Sequence, residues 1–199
     1  MVHKDIIDKI INDYYEGKIP VERLPRGCGR AVLTYENYAI KFPHFVDNSS
    51  CGVKQNSYEE YVTNTLKEDT DLKWYKEIFN PVIYTYRGVN VYNKLLTDTN
   101  EICSILGLDN IFELEGFIKS KYKNKLTDIV PYLNLQLDDC LHADNWGYDL
   151  YSRSLKCLDY GVYEDYYEDE NEVACEVCPR RENCGYIEST TKTVKLKFI

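Results

Sequence analysis

LHADNWGYDLYSRSLKCLDYG, residues 141–161, is the stretch on which the reading of this chain turns. It opens with a polar cluster, His142, Asp144 and Asn145. Two short alternating pieces follow, Trp146–Leu150 and Ser154–Leu158, and they predict a hairpin. Asp159-Tyr160-Gly161 closes the stretch. Asn145 and Asp159 then stand at the two ends of one hairpin, where their oxygens can share a hard cation such as Mg²⁺. The alternative is a polar turn and a surface hairpin with no site.

Working outward, the 199 residues predict one domain with small appendages. Hydrophobic residues make up 44% of the chain, enough for a core. Tyr is used 19 times against 6 for Phe. No apolar run approaches the roughly 20 residues of a membrane span. The charged, helix-periodic start lacks the plan of a signal peptide, so the expected compartment is the cytosol, a host cell's if the chain is viral. A net charge of −9 argues against sequence-independent nucleic-acid binding, which runs on Lys and Arg neutralising phosphates. Eight cysteines in such a chain read as thiols or metal ligands rather than disulfides.

The N-terminal segment has Ile6, Ile7, Ile10, Ile11 and Tyr14 at helical spacing, and Gly17 can end that helix. Residues 31–35 and 38–42 predict strands around a turn at Glu36-Asn37, and 82–86 and 89–95 predict a second hairpin around Arg87-Gly88. A helix is expected over 53–67 with Tyr58, Tyr61, Val62 and Leu66 on its inner face, and a short one over 72–79. Further helices are expected over 102–108, 111–122 and 126–137, the last disturbed by Pro131. This order predicts an α+β fold in two lobes split near Leu96. The divisions are a helical segment 1–18, then 19–96, 97–162 and an acidic, Cys-rich appendage 163–199.

Gly27 and Gly29 flank Cys28 just ahead of the first strand, and glycines let backbone N–H groups approach a phosphate closely. An ordinary strand-entry turn has the same composition. Lys41 shares a strand face with Ala39. A Lys there needs a phosphate or a carboxylate, and Glu59 on the next helix is the candidate, with Glu60 in reserve. A Lys at a sheet edge is the plainer alternative.

Gly27-x-Gly29, Ala39-Ile40-Lys41, Glu59, Asn145 and Asp159-Tyr160-Gly161 follow one another in the order of the protein-kinase motifs. More narrowly, the chain resembles small kinase-like proteins of bacteriophages. The segments that carry this are Gly52-Val53-Lys54-Gln55-Asn56-Ser57-Tyr58-Glu59, His142-Ala143-Asp144-Asn145-Trp146-Gly147 and Cys157-Leu158-Asp159-Tyr160-Gly161. The resemblance spans roughly residues 19–162 and implies a two-lobed kinase-like fold with a minimal C-terminal lobe. It implies Mg-ATP as the ligand. Lys41 would contact the α/β-phosphates and pair with Glu59. Asn145 and Asp159 would hold Mg²⁺. The backbone of Gly27, Cys28 and Gly29 would cover the phosphates, and Val91 to Lys94, with Tyr92, would meet adenine.

Two departures bear on catalysis. The base Asp of a kinase catalytic loop lies five residues before the metal-binding Asn, and that position here is Cys140. Asp139 is the candidate base nearest in sequence, with Asp144 beside it, but in an extended loop one residue of slip reverses a side chain's direction. Only 38 residues follow Gly161 (199 less 161), too few for an activation segment and a full helical lobe.

Cys175, Cys178 and Cys184 give a C-x2-C-x5-C cluster, which suits one metal and lacks a fourth ligand. Cys157 is the first choice, with His142 and Cys140 behind it. Zinc is the default and an iron–sulfur cluster the alternative. The same pattern resembles the cluster motif of some CRISPR- and recombination-associated nucleases, with no nuclease core to match. Such a knot would stand in for the missing lobe. The six acidic residues between Glu164 and Glu172 read as a solvated loop, or as a docking site for a basic partner.

Two functions emerge from the resemblance. One is a phosphotransferase that uses Mg-ATP, a kinase-like transferase built on Lys41, Glu59, Asn145 and Asp159. The other is a pseudokinase, which Cys140 favours, acting on a host or viral protein. Outside the resemblance stand a binding protein stapled by a Cys-bound metal and a metal-dependent nucleic-acid protein, the latter opposed by the acidic charge.

Overall fold

The computed structural model describes residues 3–20, 24, 30–43 and 52–161. Within them the chain is α+β. Helix α1 (Lys4–Tyr15) precedes strands β1 (Arg30–Tyr35) and β2 (Tyr38–Pro43), helix α2 (Gly52–Glu68), and strands β3 (Val82–Tyr86) and β4 (Val89–Asn93). Helices α3 (Thr99–Leu106), α4 (Ile111–Ile129) and α5 (Leu137–Leu141) follow, then a 3-10 turn at Ala143–Asn145 and strands β5 (Trp146–Asp149) and β6 (Ser154–Cys157).

The first four strands form one antiparallel sheet in the order β1-β2-β4-β3. Both hairpin turns use left-handed backbone, at Glu36 (φ 49°) in the first and at Arg87 and Gly88 (φ 51° and 74°) in the second, which suits the twist of two-residue loops. Strand period then separates two faces. Ala31, Ile40, Phe42, Val89 and Val91 lie on one, buried with Ile7, Ile11 and Tyr14 of α1. Lys41 pairs across the ladder with Val32 and Asn90, which puts these residues on the opposite face, toward α2.

A second cluster of buried side chains joins α2, α3, α4 and the β5–β6 hairpin, with Val62, Leu66, Leu114, Ile118, Leu126 and Trp146 among them. The hairpin is sewn to neighbouring chain by backbone bonds. Cys157 N–H donates to Ile78 O (2.7 Å) and Asn80 N–H to Cys157 O (2.9 Å), while Leu96 and Tyr148 exchange bonds of 3.0 and 2.8 Å.

Three expectations change. Residues 72–79 are not a helix. They form successive turns, with Tyr75 N–H bonded to Leu72 O and Ile78 N–H to Tyr75 O, both at 2.9 Å, before Phe79 bridges to Cys157. The break expected between 122 and 126 is absent, and one helix, α4, runs through it, while the disturbance expected at Pro131 is present as turns that separate α4 from α5. Leu114, Ile118, Tyr122, Leu126 and Ile129 keep a single inward stripe along α4, and the helix stops before Pro131. The inner face of α2 is also more polar than expected. Gln55, Asn56, Glu59 and Thr63 are buried with Val62 and Leu66, whereas Tyr61 is 51% exposed. Buried polar groups need partners, and theirs define the site.

Candidate functional site

Glu59 is fully buried on α2 and gathers donors from three strands and from the segment after β6. Lys41 Nζ on β2 lies 3.0 Å from its Oε1 and 3.3 Å from its Oε2. Tyr160 N–H donates to Oε1 at 3.2 Å. Arg30 on β1 reaches Oε2 at 2.7 Å, and the Tyr92 hydroxyl on β4 donates to the same oxygen. The expected strand-to-helix ion pair is therefore present. Lys41 also donates to Leu158 O at 2.5 Å and stands 4.8 Å over the Tyr92 ring.

Arg30 is the residue that motif reading missed. Its side chain is 5% exposed and forks between Glu59 and Asp159. Its Nη1 also reaches Asn56 Oδ1 at 3.3 Å. Burial alone would lower its pKa, but the Asp159 and Glu59 carboxylates outweigh that and raise it. One signal was available. Arg30 sits two residues before Val32, the partner of Lys41, so strand period puts it on the Lys41 face. Asn56 explains its own place in the quoted segment. Its Nδ2 donates to Lys41 O (2.9 Å) and Gly88 O (2.8 Å), and Asn90 Nδ2 donates to its backbone oxygen (2.6 Å).

Asp159 keeps 44% of its side chain exposed. Burial of the carboxylate raises its pKa. The charges of Arg30 and Lys41 and the hydrogen bond from Arg30 more than offset this and hold it below the ordinary value. Leu158 N–H donates to Asn145 O at 2.7 Å, so the backbone ties the two proposed cation ligands together. Gly161 is required by space. A Cβ there would stand 2.8 Å from Gln55 O and 2.9 Å from Gln55 Cβ on α2. Gly147 is as tight, with Leu95 Cβ and Leu158 Cδ1 at 2.9 Å.

Residues 137–141 are helical, not extended, and this changes which side chain faces Asn145. Cys140 turns inward, 1% exposed, and Trp146 Nε1 donates to its carbonyl at 2.8 Å. Asp139 turns toward the site instead. Asn145 Nδ2 donates to Asp139 Oδ1 at 3.0 Å and to Asp139 O at 2.9 Å. Burial, and then the nearby Asp159 charge, raise the Asp139 pKa. The objection to Asp139 assumed an extended loop. In a helix, successive side chains step by about 100°, and a neighbouring position can face the site. His142 and Asp144 form an exposed pair at the rim, 3.7 Å apart.

Tyr92 is 1% exposed, with its hydroxyl committed to Glu59, so its side chain supports the ion pair. Cys157 is fully buried, its thiol 3.5 Å from Asp159 O. Burial, and then the neighbouring Cys140 thiol, push its pKa well up. Gly27, Cys28, Gly29, Cys175, Cys178 and Cys184 lie outside the described residues.

Among the described residues no three His, Cys, Asp or Glu side chains converge as a metal cage. Mg²⁺ does not demand one, because it is held by one or two carboxylates together with phosphates and water. The exposed edge of Asp159 and the amide oxygen of Asn145 fit that donor set. No helix among the described residues is long and apolar enough to cross a membrane. Comparison with protein-family models, with curated proteins and with solved structures finds nothing that matches this chain.

Proposed function

We propose that this chain is a kinase-like protein that binds Mg-ATP and transfers its γ-phosphoryl group to a hydroxyl of a host or viral protein. The observation that carries the reading is the buried Lys41–Glu59 pair, 3.0 Å long, set directly against Leu158 and Asp159. Lys–Glu pairing between strand and helix, beside a metal-binding Asp, is the arrangement an active kinase requires. On this reading the sheet with α1 and α2 is one lobe, the helical cluster is the other, and the chain after β4 joins them.

Bound Mg-ATP would supply the phosphoryl group and the charge that neutralises it. Lys41 donates to phosphate oxygens and is kept in place by Glu59. Asn145 and Asp159 offer oxygens to the cation. Asp139, oriented by the Asn145 amide, accepts the proton of the acceptor hydroxyl. The hydroxyl oxygen then bonds to the γ-phosphorus as the bond to the β-phosphate oxygen breaks and ADP leaves. Titration calorimetry with ATP, with and without Mg²⁺, tests the binding step. Transfer of labelled γ-phosphate to the chain itself or to a lysate tests the reaction. No Mg-dependent ATP binding would remove the reading.

A second reading, nucleotide binding without transfer, is favoured by one observation: Arg30 occupies the Asp159 carboxylate. ATP binding with no transfer under any condition would select it.

A further inference from the structure

We propose that Arg30 is a latch on the cation site: without nucleotide its guanidinium holds the Asp159 carboxylate, and a divalent cation reaches Asp159 only when that ion pair opens. The inference rests on the reading of Asp159 as a cation ligand.

The two ends of the latch differ in exposure. Arg30 is anchored, 5% exposed, with Nη1 on Glu59 Oε2 at 2.7 Å and near Asn56 Oδ1 at 3.3 Å. Its Nη2 edge alone turns to Asp159, which is 44% exposed. Opening the pair therefore moves Asp159 or exchanges its partner, and leaves the guanidinium where Glu59 and Asn56 hold it. Local charge sets what can open it. Lys41 and Arg30 carry two positive charges, and Glu59 and Asp159 two negative charges, so these four groups balance, with the Asp139 carboxyl near Asp159 besides. A bare divalent cation on Asp159 would add two positive charges beside Lys41 and strand the Nη2 edge. A buried charge left without its partner is strongly penalised. A cation that arrives with a polyphosphate avoids this. The cation takes Asp159, and a phosphate oxygen takes the freed guanidinium edge, whose planar fork suits phosphate. The latch makes the site select the metal–polyphosphate pair over either ion alone, and adds Arg30 to the phosphate-binding residues.

The test is Mn²⁺ binding to the full chain without nucleotide, read by electron paramagnetic resonance. Arg30→Gln removes the latch and should bind Mn²⁺ at least tenfold more tightly than wild type. Arg30→Gln with Asp159→Asn should lose that gain. Arg30→Lys keeps a charge for Glu59 but cannot fork to both carboxylates, and should gain less. Where Arg30→Gln fails to fold, by circular dichroism and urea unfolding, Arg30→Lys decides, a Mn²⁺ affinity above wild type supporting the latch. A folded variant with wild-type Mn²⁺ affinity overturns the latch. ATP titration of wild type in Mg²⁺ runs alongside. ATP binding without a gain in Mn²⁺ affinity overturns the latch and leaves the nucleotide reading standing. A gain without ATP binding keeps the latch and removes the nucleotide. The absence of both the Mn²⁺ gain and ATP binding overturns both readings.

Discussion

Asp139 and Cys140 differ by one position and by the whole of their surroundings. Asp139 meets the Asn145 amide at 3.0 Å, whereas Cys140 is 1% exposed in the core. Asp139→Asn should therefore lower phosphoryl transfer by ~10²–10⁴-fold, the usual worth of a general base, with ATP affinity little changed. A rate left intact in the labelled-phosphate assay would remove Asp139 from the reaction. Cys140→Asp, which sequence register alone nominates as a rescue, should instead place an unpaired charge in the core and cost about 3–5 kcal/mol in urea unfolding. The pH dependence follows from the direction of the Asp139 shift. Burial, then Asp159, raise its pKa, and a base must be ionised, so the rate should fall with decreasing pH at a value above the ordinary Asp range. An acid limb at the ordinary Asp position would contradict this. For stability the two carboxyls work in opposite directions. The raised Asp139 contributes stability below its unfolded pKa, lost as pH rises through the folded value. The lowered Asp159 contributes stability above its unfolded pKa, lost as pH falls through the folded value.

At the scale of elements, what was legible followed from periodicity and what was hidden followed from burial of polar groups. Both sheet hairpins could be read from strands flanking two-residue turns, and the closing hairpin from its alternation. The Lys41–Glu59 pair could be read because strand period and motif order agreed. The inner face of α2 could not, because hydrophobic periodicity is blind to Gln55, Asn56 and Glu59 when their partners lie on a distant strand. Arg30 was hidden for the same reason, since its partners are 29 and 129 residues away (59 less 30, and 159 less 30). Gly161 shows how α2 and the last described residues fit. The near atoms there are backbone and Cβ of Gln55, at 2.8–3.0 Å, which cannot swing aside. Gly161→Ala should force apart α2 and the Asp159 segment and destabilise the protein by about 1–3 kcal/mol. Because Gln55 is one position from Asn56 and four from Glu59, ATP affinity should fall as well. Unfolding in urea and calorimetry on the same variant check both, and a neutral result in each would mean that the contact is relaxed in solution.

For the whole molecule, the site draws on both buried clusters at once. Arg30 and Lys41 come from the sheet that α1 covers, while Asp139, Asn145 and Asp159 come from the helical side. Tyr160 belongs to the helical cluster, its hydroxyl 2.6 Å from Asn80 O and its ring 5.0 Å from Phe79, and its N–H donates to Glu59 Oε1 at 3.2 Å. A ligand seated there should stabilise the two clusters jointly. Ile11 offers a way to test this from a distance, being fully buried under the sheet face opposite Lys41. Ile11→Ala should cost about 2–5 kcal/mol, as a large-to-small change in a packed core does. Mg-ATP at about 100 times its Kd should restore about 2.7 kcal/mol to wild type and variant alike, because Ile11 touches no ligand. Amide exchange gives the location of that gain. Protection at Ile40 in β2 and at Ile118 in α4 should rise together on adding Mg-ATP. A rise confined to the sheet would mean that nucleotide binds without engaging Asn145 and Asp159, and the transfer chemistry would then have no metal site to run on.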